Sequence, residues 1–100
     1  MIRLLTVALS VAVAAPAFAQ SAKEKDCGLQ ADVVGAVQAA RLDRVKERDV
    51  ATHIADSTPT WPENYNAVVP LVTPWIYGLE MAELKENDLS AAWTELCLAQ

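Results

Sequence analysis

The sequence predicts an all-α protein, a small helical bundle of about four helices closed by one disulfide. Three observations predict it. Apolar residues recur at spacings of three and four through most of the region 27–97. Only 3 glycines and 6% aromatic residues are present, too few for the turn-rich strands of an all-β barrel or sandwich. Hydrophobic residues are 53% and charged residues 21% of the chain, a balance that supports a packed core rather than extended disorder. With 100 residues the ceiling is one domain.

Residues 1–19 are expected to be a cleavable signal peptide. Arg3 supplies a positive start, Leu4 to Ala15 is apolar apart from Thr6 and Ser10, and Pro16 breaks the run before Ala17-Phe18-Ala19, a small-x-small cleavage site. The apolar stretch is shorter than the ~20 residues a spanning helix needs. Pro70 and Pro74 interrupt the only other long one. The processed chain is therefore expected in the periplasm or outside the cell, with no stable membrane insertion. Residues 20–26 are polar and expected as a flexible N-terminus, and residues 27–100 as the helical domain.

The first helix is predicted over residues 27–43, with Asp26 as N-cap. Leu29, Val33, Val37 and Ala40 share one face, with Val34 beside them. Asp43-Arg44-Val45 reads as a bend. A second helix follows over 47–56, with Val50 and Ile54 as its apolar side, and Ser57-Thr58-Pro59-Thr60 ends it. Pro62 suits the first position of a third helix. Along it Tyr65, Val68, Val72, Trp75 and Leu79 repeat at helical spacing. Pro70 and Pro74 fall within this run on the opposite side of the wheel. The run is expected to be one helix bent with its prolines outward, or two short helices split before Pro70. The last helix starts with Asn87 or Asp88 as cap and puts Leu89, Ala92, Trp93, Leu96 and Cys97 on one face.

Cys27 and Cys97 are the only cysteines. In an exported chain two cysteines allow one pairing, which would tie the start of the first helix to the end of the last. Closing a loop of 70 residues would destabilise the unfolded chain, by about 4 kcal/mol in the chain-entropy model. There is no Cys-x-x-Cys, so redox catalysis fits poorly.

Catalytic chemistry is thinly represented. His53 is the only histidine, in a row with Asp49 and Asp56 and near Ser57. One short helix seldom closes three ligands around a metal, and a triad needs its members from different elements, so the row reads as a solvated helix face. Glu80, Glu83, Glu86 and Asp88 lack the alternating ligands and central glycine of a calcium loop. No catalytic residue, metal or cofactor is assigned.

Three residues are candidates for ligand or partner contact. Arg41 falls inside the apolar arc of the first helix, and Arg44 lies close to that arc. A guanidinium there must snorkel outward, pair with a carboxylate such as Glu80 or Glu95, or be held for a ligand. Trp61, between two prolines at a helix start, is the tryptophan expected to be exposed. Trp75, Tyr65, Tyr77 and Trp93 read as core. Charge is uneven: residues 49–100 carry Lys85 against eight carboxylates, whereas Arg41, Arg44, Lys46 and Arg48 cluster in the basic half. With a net charge of −5 the chain is repelled by nucleic acid and anionic lipid.

The first cysteine opening a helix, Ala39-Ala40-Arg41 near its end, the run Val-Val-Pro-Leu-Val-Thr-Pro-Trp-Ile-Tyr over 68–77 and the closing Trp93-x-x-x-Cys97 resemble small exported two-cysteine helical bacterial proteins of uncharacterised function. The resemblance covers residues 27–97. It departs at Asp43, where such proteins carry glycine in an Arg-x-Gly turn. In size, compartment, cysteine count and helix content the chain is also loosely similar to the Hde-type periplasmic acid-stress chaperones. Protonating its 13 carboxylates would swing the processed chain from −6 to +8, enough to loosen it by self-repulsion. The function expected is a non-catalytic protein-interaction or chaperone-like module with an unidentified protein partner or clients. The alternative is a binder of a small anionic ligand through Arg41 and Arg44, and an enzyme is not expected.

Overall fold

The first helix begins well before the first cysteine. In the computed structural model, which describes residues 17–100, α1 runs Ala17–Leu42. Alanine, glutamine, lysine and glutamate, all strong helix formers, make up most of the stretch ahead of Cys27, and no glycine or proline interrupts it. Residues 20–26, expected as a flexible arm, therefore continue the helix. Asp26 is no cap but a mid-helix side chain. It accepts from Gln30 Nε2 one turn on at 3.0 Å and from the Tyr65 hydroxyl at 2.6 Å. The predicted leader, residues 1–19, lies outside the described residues except for Ala17–Ala19, which open α1.

The end of α1 is a Schellman turn. The Val45 amide donates to the Ala40 carbonyl at 2.9 Å and the Arg44 amide to the Arg41 carbonyl at 3.1 Å. This motif needs its penultimate residue in the left-handed region, and Arg44 supplies it at φ 63°. The turn after the helix thus forms without the glycine that favours it, at the strained position Arg44 rather than at Asp43. A 3-10 turn (Glu47–Asp49) leads into α2 (Val50–Asp56), where Val50 and Ile54 are buried as predicted. Thr58 at φ 52°, followed by Pro59, ends it.

The predicted third helix changes pitch instead of splitting at a proline. A 3-10 turn (Glu63–Ala67) passes into α3 (Val68–Tyr77), which starts two residues ahead of Pro70. Pro70 lies in the first turn of α3, where its missing N–H forfeits little. Pro74 lies inside α3 and removes one helical bond. Both prolines are exposed, on the outer side as expected. An additional helix, α4 (Met81–Glu86), has Leu84 as its one buried residue. Then α5 (Leu89–Leu98) starts with Asp88 as N-cap, its carboxylate accepting from the Ala91 amide at 3.1 Å. Five α-helices are described where about four were expected, and no strand occurs among the described residues.

Helix α1 is the centre against which α5 and α3 pack most extensively. Val33, Val34, Val37 and Ala40 meet Val50, Ile54, Val69, Val72, Ile76, Leu84 and Leu89 in one apolar core. Polar side chains of α1 fix the C-terminal helices. Gln38 Nε2 donates to the carbonyls of Leu84 at 2.7 Å and Asn87 at 2.8 Å, while its Oε1 accepts from the Leu89 amide at 3.3 Å. Gly35 lets α5 come close, since a Cβ there would stand 2.6 Å from Ser90 Oγ. That hydroxyl donates to the Ala31 carbonyl at 2.8 Å. The Cys27–Cys97 disulfide closes the far end, linking α1 to the last turn of α5 across 70 residues.

Candidate functional site

The solvent side of α3 carries no polar residue. Its inward positions, Val69, Val72, Thr73 and Ile76, are buried, and the Thr73 hydroxyl is satisfied by the Val69 carbonyl at 2.6 Å. Its outward positions are Pro70, Leu71, Pro74 and Trp75. Leu71 is 75% exposed and Trp75 37%. A helix that is apolar all round is normally buried on all sides. Here one whole side faces solvent. Helical spacing divides that side into two parallel stripes, Pro70 with Pro74 and Leu71 with Trp75.

The Leu71–Trp75 stripe continues onto α5. The Trp75 and Trp93 rings lie 5.9 Å apart, tilted by 37°, within the range in which aromatic pairs attract. Trp93 is half-buried, its Nε1 donating to Gln30 Oε1 at 3.1 Å. Leu96, one turn beyond, is 60% exposed. The Pro70–Pro74 stripe borders a groove of about 300 Å³ beside the 3-10 turn and α2, floored by Val50, Val69 and Thr73, with Glu47 and Arg48 at its edge. A second hollow, about 330 Å³, opens beside the disulfide between Gln30, Trp93, Leu96 and Cys97.

Trp61, expected to be the exposed tryptophan, is not part of this surface. It is half-buried against the core, and its Nε1 donates to Asn66 Oδ1 at 2.8 Å. The 3-10 turn that follows Pro62 folds Asn66 back over the indole, a closure that proline placement alone does not reveal. Trp75, expected in the core, takes the exposed position instead. The available signal was the absence of any charged side chain from α3, since an amphipathic surface helix would carry some on its outer side.

Arg41 is placed by an aromatic ring. Its guanidinium carbon lies 5.2 Å from the centroid of Tyr77, a cation–π geometry that was not among the alternatives of snorkelling, pairing with an acid such as Glu80 or Glu95, or holding a ligand. Its Nε is buried without a hydrogen-bond partner. Burial raises the Tyr77 phenol pKa above its ordinary value, Arg41 opposes that rise, and Glu47 adds to it. The Tyr77 hydroxyl donates to the Val45 carbonyl at 2.6 Å, which ties the ring to the α1 turn. Arg44 is exposed beside this turn. Arg41 and Arg44 are thus near in sequence, but one is packed and the other projects from a strained turn.

Asp49, His53 and Asp56 are all exposed, on the side of α2 away from Val50 and Ile54. Glu80, Glu83, Glu86 and Asp88 are likewise exposed. Among the described residues no group of three or more His, Cys, Asp or Glu side chains is arranged to hold a metal ion. No described helix is long and apolar enough to cross a membrane. Comparison with family models, with curated proteins and with solved structures finds no match.

Proposed function

We propose that the chain is an exported, non-catalytic protein-interaction module that docks through the outer side of α3, extended by Trp93 and Leu96 of α5. The observation that supports it is the uncharged stripe of Leu71 and Trp75 facing solvent. Apolar surface of this kind gains free energy when water is removed, roughly 25 cal/mol per Å². A few exposed apolar anchors dominate the energetics of many protein contacts. The disulfide fits an oxidising compartment, in agreement with the leader expected over residues 1–19.

The test is affinity capture from periplasmic extract at neutral pH and at about pH 3, with the Leu71→Glu variant as control. Capture that depends on Leu71 supports the reading. Capture unchanged by Leu71→Glu, or no Leu71-dependent contact with another protein or with a second copy of the chain, refutes it. Binding of many unrelated proteins only in acid would favour the chaperone-like form, driven by the charge swing.

A second reading is favoured by one observation, the partnerless buried Nε of Arg41. In it a small anion binds at the basic end of α1 through Arg41 and Arg44. Calorimetric titration with inorganic phosphate and acetate, against Arg41→Gln, tests it, and absence of heat with both anions removes it.

A further inference from the structure

We infer that the occupant of the α3 face is a second copy of the same chain, paired antiparallel through α3 about a twofold axis. The inference rests on the reading of α3 as a docking surface and names its partner. Two features favour a copy over a partner of opposite charge.

The first is electrostatic. The chain carries a net charge of −5, so most of its surface opposes the approach of a copy. Helix α3 is the one described helix without Asp, Glu, Lys, Arg or His. Its Leu71–Trp75 stripe is therefore where two copies meet without setting like charges in contact. A surface shaped for a basic partner would carry carboxylates among its apolar anchors; the Leu71–Trp75 stripe carries none, and Glu47 at the groove beside Pro70 and Pro74 is accompanied by Arg48.

The second is the arrangement of the stripes. A twofold axis lying in the contact plane and perpendicular to α3 reverses the helix direction but keeps each stripe facing its own counterpart. Leu71 then packs on Trp75 of the second copy, and Trp75 on its Leu71, with the axis level with Thr73. With the axis at that height the Pro70–Pro74 stripes lie side by side but out of register by about 3 Å, so the pairing is set by Leu71 and Trp75. Each surface is thus complementary to itself, as an isologous interface requires. Trp93 and Leu96 extend the contact on the Leu71–Trp75 side. A ten-residue helix is only ~15 Å long, so the interface falls below the ~1,200 Å² of stable complexes. The dimer is expected to be weak, with a dissociation constant of roughly 100 µM.

The test is sedimentation equilibrium of the disulfide-bonded chain, produced by export of the full coding sequence, from 10 µM to 1 mM. The expected result is a mass rising from one copy towards two. Leu71→Glu and Trp75→Lys are each expected to weaken association at least tenfold. Mixing these two variants should restore it, because a glutamate at 71 then faces a lysine at 75. Circular dichroism shows whether each variant is folded, and the unsubstituted chain answers the main question without them. A single-copy mass up to 1 mM overturns the inference. If Leu71-dependent capture of a different protein persists in that case, the docking surface stands and only its occupant was wrong. If that capture is also absent, both fail. Association unaffected by either variant, or variants that do not rescue each other, overturns the antiparallel α3 contact.

Discussion

Replacing Gln38 by alanine is the sharpest test of how the C-terminal helices are held. The side chain of Gln38 makes three hydrogen bonds to the backbone at the α4–α5 corner, to Leu84, Asn87 and Leu89. The Leu84 bond is short and half-buried and contributes about 1 kcal/mol. The other two are more exposed or longer and contribute about 0.5 kcal/mol each. The loss should therefore be about 2 kcal/mol, slightly offset by the better helix propensity of alanine. In a domain of this size that is a fall of about 10 °C in Tm. Urea unfolding of the oxidised protein, followed by tryptophan fluorescence, measures it. The midpoint should move with an unchanged slope. Gln38→Glu separates hydrogen bonding from packing. Its carboxylate keeps an acceptor for the Leu89 amide but faces two carbonyl oxygens, so at pH 7 it should be less stable than the alanine variant. Protonation in acid should recover part of the loss. A Gln38→Ala change below 0.5 kcal/mol, or a glutamate variant as stable as glutamine, would show that the corner does not depend on these bonds.

Three further expectations follow from the same contacts. Arg44→Gly should stabilise the fold by about 0.5–1 kcal/mol, because glycine adopts the left-handed turn without steric cost; a loss of stability would mean that the arginine side chain has a structural role there. Gly35→Ala should destabilise by about 1 kcal/mol when Ser90 is present, yet stabilise in the Ser90→Ala background, where only helix propensity remains; additive effects in a double-mutant cycle would refute the close approach. The hydrogen bond to Asp26 raises the Tyr65 phenol pKa above 10.0, with burial and the Asp26 charge adding to it. This contribution is complete below pH 10.0 and lost as pH rises through the folded value, so Tyr65→Phe should flatten the alkaline decline in stability. Equal declines in the two proteins would refute that linkage.

The stripes of α1 and α2 were legible because each helix has one apolar side and one charged side. Of the face expected on α5, by contrast, only Leu89 is buried and Ala92 and Leu96 are exposed, because that helix has Glu95 as its one charged residue and apolar residues on several sides. Val33, Val37 and Ala40, or Val50 and Ile54, announce burial by period alone. Asp88 announces the start of α5 because an N-cap acts within one turn of its own residue. Helix α4 left no such trace, since six residues with Leu84 as one anchor make no period. The start of α1 was misplaced because polarity says where solvent is, not where helix stops.

What the sequence determined by itself is therefore local or covalent: the all-α class, the ends of α1 and α2, the start of α5, the inward faces of α1 and α2, and a disulfide for which only two cysteines were available. Tertiary structure alone decided what happens between elements. Gln38 reaches carbonyls more than forty residues away, and Gly35 admits Ser90 from another helix. Asn66 folds over Trp61 and leaves Trp75 as the exposed indole, while Arg41 settles on Tyr77 and not on a carboxylate. In α3 apolar residues occupy every side, so periodicity could not say which side stays open. The placement of α1, α2 and α5 around it decides that, and leaves Leu71 and Trp75 in water.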